Sequence, residues 1–326
     1  MMTRRLRLCF LLLLLTLPLF LSGCYEQLNP LAKNEATAAP GLTEELHAAA
    51  ADKSNTTELS ATLYFRYLDE PMLAGESRTL TIRRDQRPEQ AIIEALLEGP
   101  SAGNADLRAI IPSGTLVEGI SSRDRVLFVT FSDAFLRDDV PENWAEDDQW
   151  KTEAPLLRKL IVQSIAASIT ESYPYTGVQI LVHSQSEVQT SLRLDNAYYL
   201  DGSEGLSEPV VRDEALLLSP QTTAQTILNA WAQKDFERMY RYLAQSGKPT
   251  YTAFLNALSA APSADVYTVS GGSVTPDGQT AVVTVYLRLI SQGMNDQFLS
   301  YPLQLIREND VWKLKYERLE TLMLGT

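Results

Sequence analysis

Leu116 to Phe131 reads LVEGISSRDRVLFVTF, two apolar-rich runs either side of the polar turn Ser121 to Arg125. Leu116 to Ile120 and Val126 to Phe131 have the length and the β-branched and aromatic content of strands joined in a hairpin. The second run, Val-Leu-Phe-Val-Thr-Phe, is apolar on both faces, which places it centrally in a sheet. C-terminal to it, Leu157, Ile161, Ile165 and Ile169 recur every four residues with Leu160 beside them, predicting a helix over about 152–173. Val178 to Val182 then supplies a further strand. On the N-terminal side, Leu63, Phe65 and Tyr67 alternate with Thr62, Tyr64 and Arg66, the period of a half-buried strand. A second strand follows around Arg78 to Arg83, with Leu80 and Ile82 on one side. Between these strands and the quoted hairpin, Pro88 opens a helix whose stripe is Ala91, Ile92, Ala95 and Leu96, and Gly99-Pro100 stops it. The order helix, strand, strand, helix, strand predicts one sheet with both helices on one face, an α+β arrangement.

Four pieces of this region carry a resemblance: Leu63-Tyr64-Phe65, Leu96-Leu97-Glu98-Gly99-Pro100, Ile111-Pro112-Ser113-Gly114-Thr115, and Val129-Thr130-Phe131-Ser132. In order and spacing they resemble the GerM domain of spore germination and sporulation proteins, over about Leu63 to Pro209, so a domain is expected at 61–209. GerM domains are similar to the ring-building modules of envelope-spanning sporulation complexes. The resemblance therefore implies an α/β sandwich of the ring-building type and a role in protein–protein assembly. The founding member carries two such domains in tandem; this chain shows one. Gln185 to Asp213, with Tyr198-Tyr199, Gly202, Gly205 and Pro209, reads as the closing edge of the domain and a connector.

Residues 210–326 read differently. Ala224, Ile227, Leu228 and Trp231 form one helical stripe, Phe236, Met239, Tyr240 and Leu243 another, and Tyr251 to Leu258 a third helix. Strands follow around Val266 to Ser270, Thr280 to Ile290, Gln297 to Ile306 and Val311 to Glu317. The last places Trp312, Leu314 and Tyr316 opposite Lys313, Lys315 and Glu317, and Glu308-Asn309-Asp310 makes its hairpin turn. Helices followed by a curved antiparallel sheet, together with Trp231 to Phe236 and Asn309 to Leu314, resemble the NTF2-like cone. That fold wraps a pocket in some relatives and offers only a docking surface in others.

The N-terminus carries Arg4, Arg5 and Arg7, then an apolar run from Leu8 to Leu21 interrupted only by Thr16 and Pro18. At about 14 residues it is shorter than the roughly 20 a membrane-crossing helix needs, and it has the layout of a secretory signal peptide over 1–23. It ends in Leu21, Ser22, Gly23 and Cys24, which resembles a bacterial lipobox. That implies recognition by a signal peptidase at Leu21, Ser22 and Gly23 and a lipid on Cys24. Residues 24–60, polar and alanine-rich, read as a flexible tether with a reach of about 30 to 36 Å. The only other cysteine, Cys9, lies in the segment expected to be removed, so no disulfide is available.

Removal of three arginines leaves 25 of the 28 basic residues against 41 acidic ones and moves the formal charge from −13 to −16. So acidic a chain is unsuited to nucleic acid. The histidines outside the signal peptide are His47 in the tether and His183 at a strand end, so His/Cys metal clusters and Cys-His pairs are excluded by inventory. Asp138, Asp139, Glu142, Glu146, Asp147 and Asp148 form an acidic stretch that lacks the alternating ligands and central glycine of a calcium loop. It reads as a solvated insertion that Trp144 and Trp150 pack onto the domain or a partner. Gly271-Gly272 and Asp277-Gly278 lack phosphate-loop spacing and read as hairpin turns. No histidine lies within 210–326, so an Asp or Tyr is left to move a proton there. The expectation is thus an enzymatically inactive lipoprotein without metal or cofactor, docked to envelope proteins and tethered to the membrane at its extracytoplasmic face. The alternative is a sensor that binds a small ligand or cell-wall fragment in the cone.

Overall fold

β1 (Thr56–Tyr67) and β2 (Leu73–Arg83) form an antiparallel hairpin, in register from Thr56 opposite Arg83 to Arg66 opposite Leu73. In this computed structural model, residues 55–137, 148–183, 191–290 and 297–324 are described, within one compact unit, Ser54–Thr326. The expected alternation holds: Leu63, Phe65 and Tyr67 are buried. Strand pairing starts at Thr56, inside the stretch 24–60 assigned to the tether. Residues 56–60 are polar enough to read as linker, yet they complete a ladder with Thr79 to Arg83.

α1 (Pro88–Glu98) begins with Pro88 in its first turn and ends at Gly99, whose φ of 89° lies in the region that favours glycine and whose N–H bonds to Leu96 O. β3 (Leu107–Arg108) pairs with the end of β1, giving the sheet order β2-β1-β3. β4 (Val117–Arg123), β5 (Val126–Phe131), β6 (Gly177–His183) and β7 (Ser191–Arg193) make a second sheet in that order. β5 is central, as its composition implies, but only Leu127, Val129 and Phe131 are fully buried; Val126, Phe128 and Thr130 are partly open on the other face. β5 and β6 run parallel. Such a pair needs a long crossover, which α2 (Asp148–Ser172) supplies. α2 starts four residues before the expected Thr152 and contains Pro155, which withholds one backbone donor from the helix.

The single sheet expected for this half is instead two. α1 packs against β1, β2 and β4, and α2 against β1 and β6, so the helices touch both sheets. The reason lies at the edge of β1: the N–H of Tyr64 donates to Ser168 Oγ (2.9 Å), and Ser164 Oγ donates to Tyr64 O (2.5 Å). Hydroxyls of α2 take the place a neighbouring strand would fill. The edge of β6 beyond β7 is closed by Val210, which exchanges two backbone bonds with Val178 (2.9 and 2.8 Å). A side chain at Gly177 would meet Val210 O at 3.0 Å, so glycine permits that approach.

The second half follows the expected order. α3 (Pro220–Gln233) opens with a reciprocal cap between Ser219 and Thr222, and α4 (Phe236–Arg241) and α5 (Tyr251–Ala260) are capped by Asp235 and Thr250. β8 (Ser263–Val269), β10 (Thr280–Ile290), β11 (Gln297–Glu308) and β12 (Val311–Leu314) form an antiparallel sheet in the order β12-β11-β10-β8, and β9 (Ser273–Val274) pairs with β10. Ala281, Val283, Val285, Leu287 and Leu289 alternate inward. The final strand stops at Leu314, short of the expected Glu317, and the chain turns into α6 (Tyr316–Leu324). Lys313, expected on an outward face, is 5 % exposed because β12 is covered on both sides.

Candidate functional site

The cluster richest in buried ionisable groups lies where the two halves meet. Tyr67 ends β1 and is fully buried; its ring lies 5.2 Å from that of Tyr242, which follows α4 and is also fully buried. The Lys313 ammonium donates to the Tyr67 hydroxyl, to Arg241 O (3.0 Å) and to Asp106 Oδ2 (3.1 Å), and sits 4.7 Å over the Tyr67 ring. The Tyr67 hydroxyl in turn donates to Arg241 O at 3.0 Å. On the other side Glu70, 4 % exposed, accepts from Arg238 at 2.8 Å. Arg66 holds the Leu68–Glu70 turn through Glu70 O (3.0 Å) and Asp69 O (2.7 Å) and reaches Glu153 of α2 at 2.5 Å. Met72 receives the Thr226 hydroxyl at its sulfur (3.7 Å), and Leu218 donates to Leu73 O at 2.7 Å.

Charge and burial act together here. Burial pushes the Tyr67 and Tyr242 hydroxyls far above the ordinary tyrosine value, helped by Asp106 and Glu70 at Tyr67 and by Glu70 and Tyr67 at Tyr242. Burial pushes Lys313 down, and the Asp106 carboxylate pulls it partly back. Each cation meets a carboxylate, Lys313 that of Asp106, Arg238 that of Glu70 and Arg66 that of Glu153, and Lys313 and Arg66 also donate to backbone oxygens.

The four pieces that carry the family resemblance have internal duties. Glu76, 1 % exposed, accepts from Ser101 N (3.0 Å), Ser101 Oγ (2.8 Å) and Asn104 Nδ2 (2.7 Å), pinning the loop after Gly99-Pro100 to β2. These donors outweigh the burial that works against the charge, so the Glu76 carboxyl lies below its ordinary value. Thr115 Oγ1 donates to Pro112 O at 2.7 Å, closing the Ile111–Thr115 turn. Leu116 N donates to Ser132 Oγ and Ser132 N to Leu116 O, both at 3.0 Å, so the third and fourth pieces are stitched together.

His183 stands at the end of β6, partly exposed, in contact with Glu118 across the sheet. A cavity of about 410 Å³ beside it is lined by Leu136, Arg158, Val182, His183, Leu192 and Tyr198 among others, next to the stacked rings of Phe131, Phe135 and Tyr198. In the second half, Ala224, Ile227, Leu228, Trp231 and Phe254 fill the inner side of the sheet against Val283, Val285 and Leu287. A cavity of about 320 Å³ in this half is lined by Tyr267, Tyr286, Leu287, Arg288 and Leu299 among others. Gly278 turns at a φ of 71° in the β9–β10 hairpin, whereas Gly271-Gly272, expected in a hairpin turn, instead join β8 to β9 along one edge of β10, with Gly272 close against Val283. Among the described residues no group of three or more His, Cys, Asp or Glu side chains is placed to hold a metal ion, and no helix is long and apolar enough to cross a membrane. Leu21, Ser22, Gly23, Cys24, His47 and acidic residues 138–147 lie outside the described residues; Asp148 and Trp150 lie in the first turn of α2.

Sequence reasoning missed the junction. Tyr67 was visible as the end of an alternating strand, but nothing in its spacing ties it to Lys313, 246 residues away.

The Germane family model, described as sporulation and spore germination, matches residues 62–187. No curated protein matches the chain. Among solved structures, the tandem GerMN domains of the sporulation protein GerM from Bacillus subtilis align at 13 % identity over 73 % of this chain and 63 % of theirs, with a TM-score of 0.33. The chain thus spans just under two thirds of that protein's length. The first GerMN domain of the same protein aligns at 17 % identity over 48 % of this chain and 98 % of its own, TM-score 0.30. A Clostridium perfringens protein provisionally designated a lipoprotein aligns at 20 % identity over 50 % of this chain and 92 % of its own, TM-score 0.28. At such scores the alignments add nothing to the match over 62–187.

Proposed function

We propose that this chain, whose residues 62–187 match the Germane family model, is a non-catalytic lipoprotein that takes part in protein–protein assembly at the outer face of the cell membrane, in sporulation or germination. The observation that carries the reading is the use made of the family's own residues. Thr115 and Ser132 are spent on internal hydrogen bonds, and the loop that follows Gly99-Pro100 is pinned through Ser101 to Glu76. A domain whose defining residues act as struts offers its surface as the working part. The second half, expected to be NTF2-like, adds a further docking surface, and the buried junction presents both halves in one fixed relation. The lipid expected on Cys24 raises the local concentration of both near membrane partners.

Cys24→Ala tests the anchor. The variant is expected in the soluble fraction or as an unprocessed precursor, and membrane association unchanged at mature size contradicts the anchored reading.

A further inference from the structure

The cavity beside His183 lies at one end of the β4–β7 sheet, and strand register sets its apolar wall. Phe131 is opposite Val182, and Val182 is opposite Leu192, so these side chains share a face with Leu194, two residues beyond Leu192. Val182 and Leu194 are buried, whereas Leu192 and Leu136 are 55 % and 45 % exposed. The hollow therefore grades from closed aliphatic side chains to leucines open to water. Tyr198 is buried and continues the stack of Phe131 and Phe135, with ring centroids 4.8 and 5.6 Å apart. The volume of about 410 Å³ falls among those of small-molecule sites, roughly 300–1,000 Å³.

The polar groups of the wall have distinct uses. His183 contacts Glu118. Arg193 donates to Ser207 O (2.6 Å) and reaches Glu208 at 3.3 Å, and Asp195 accepts from Ala197 N at 2.8 Å. Arg158, partly buried on α2, is oriented by Tyr198, an apolar-wall residue: its guanidinium carbon sits 4.9 Å over the Tyr198 ring, and Nη1 donates to Tyr198 O at 2.6 Å. A planar cation is thus set beside an apolar hollow, an arrangement that fixes the orientation of a ligand with one charged end.

We propose that this cavity binds a small amphiphilic carboxylate, with its apolar chain against Val182, Leu192, Leu194 and Tyr198 and its carboxylate on the Arg158 guanidinium. The carboxylate competes with the partners Arg158 has in its own chain, and bidentate pairing with a guanidinium is among the strong charge-assisted contacts. One such fork, with the Asp195 carboxylate on the same wall, suits a singly charged head better than a dianionic phosphate. The site is distinct from the docking role and does not depend on it.

Isothermal titration calorimetry of the full lipidated chain in phosphatidylcholine nanodiscs tests it, with octanoate as the probe and the heats of empty nanodiscs subtracted. Octanoate is expected to bind with a Kd of about 1 mM or below, and octylammonium, the same chain with the opposite charge, at least about tenfold more weakly. Arg158→Gln keeps an N–H donor for Tyr198 O; it is expected to weaken octanoate at least about tenfold without weakening octylammonium, a selective loss that a loosened fold would not give. Leu192→Trp, on an exposed side chain, is expected to weaken octanoate at least about tenfold by filling the hollow, which keeps the proposal testable if Arg158→Gln fails to fold. No heat beyond that of empty nanodiscs, octylammonium bound as tightly as octanoate, or either variant binding octanoate like wild type overturns the proposal.

Discussion

Glu70 and Arg238, and Lys313 with Asp106, face each other across the two halves with little or no access to water on one or both partners. Removing one member of such a pair strands the other, which typically costs about 3–5 kcal/mol. Glu70→Ala is therefore expected to lower stability in urea by roughly that amount; a loss under about 1 kcal/mol would show that Arg238 finds another partner. The tyrosines set the alkaline limit. Tyr64, Tyr67 and Tyr242 are all raised above their ordinary value of 10.0, Tyr64 to about 12, chiefly by burial. Their protonated forms are favoured by folding, so the stability they contribute is complete below pH 10 and is lost as the pH rises toward the folded values. Lys313, lowered by burial, works the other way, adding stability as the pH climbs from its folded value to 10.5. Denaturation midpoints measured from pH 9 upward are expected to fall at lower pH in Lys313→Met than in the wild type. None of these partnerships was legible in the sequence. Lys313 alternates with Trp312 and Leu314 like any outward lysine, and only the strand and turn packed over it reveal its burial.

Elements were read far better than their neighbours. α1 was plain because Pro88 and Gly99 mark its ends by backbone geometry, which acts within a few residues. Gly99→Ala forces a φ of 89° on a side chain and brings its Cβ to 3.4 Å from that of Ala109. It should cost roughly 1 kcal/mol or more, seen as a lower thermal midpoint. The split into two sheets was invisible, since periodicity names a buried face but not the strand or helix that sits beside an edge. Ser164 and Ser168 look like neutral helix positions until Tyr64 appears beside them. Glu76 gives the element scale a pH signature. Its lowered value means that it contributes stability above 4.5, lost as the pH falls through the folded value. Glu76→Gln is expected to flatten the acid limb of an unfolding curve, and an unchanged acid limb would remove Glu76 from the account.

At the scale of the whole molecule, Ser54–Thr326 is one compact unit, and the seam between the two halves read in the sequence is a packed core with charges in it rather than a linker. One hydrophobic cluster runs through both, from Leu63 and Phe65 to Val283 and Leu314. A single cooperative unfolding transition is expected for wild type, with Glu70→Ala and Lys313→Met the changes best placed to split it. The sequence carries a resemblance over 62–187; the rigid seam depends on contacts hundreds of residues apart. The central claim, that this rigid body works by binding envelope proteins from a lipid anchor, is tested most directly by cross-linking the native protein in intact membranes and identifying what is joined to it. The account predicts adducts with other envelope proteins that disappear in Cys24→Ala cells. Recovery of this chain alone, as monomer or self-adduct, at native abundance would contradict it.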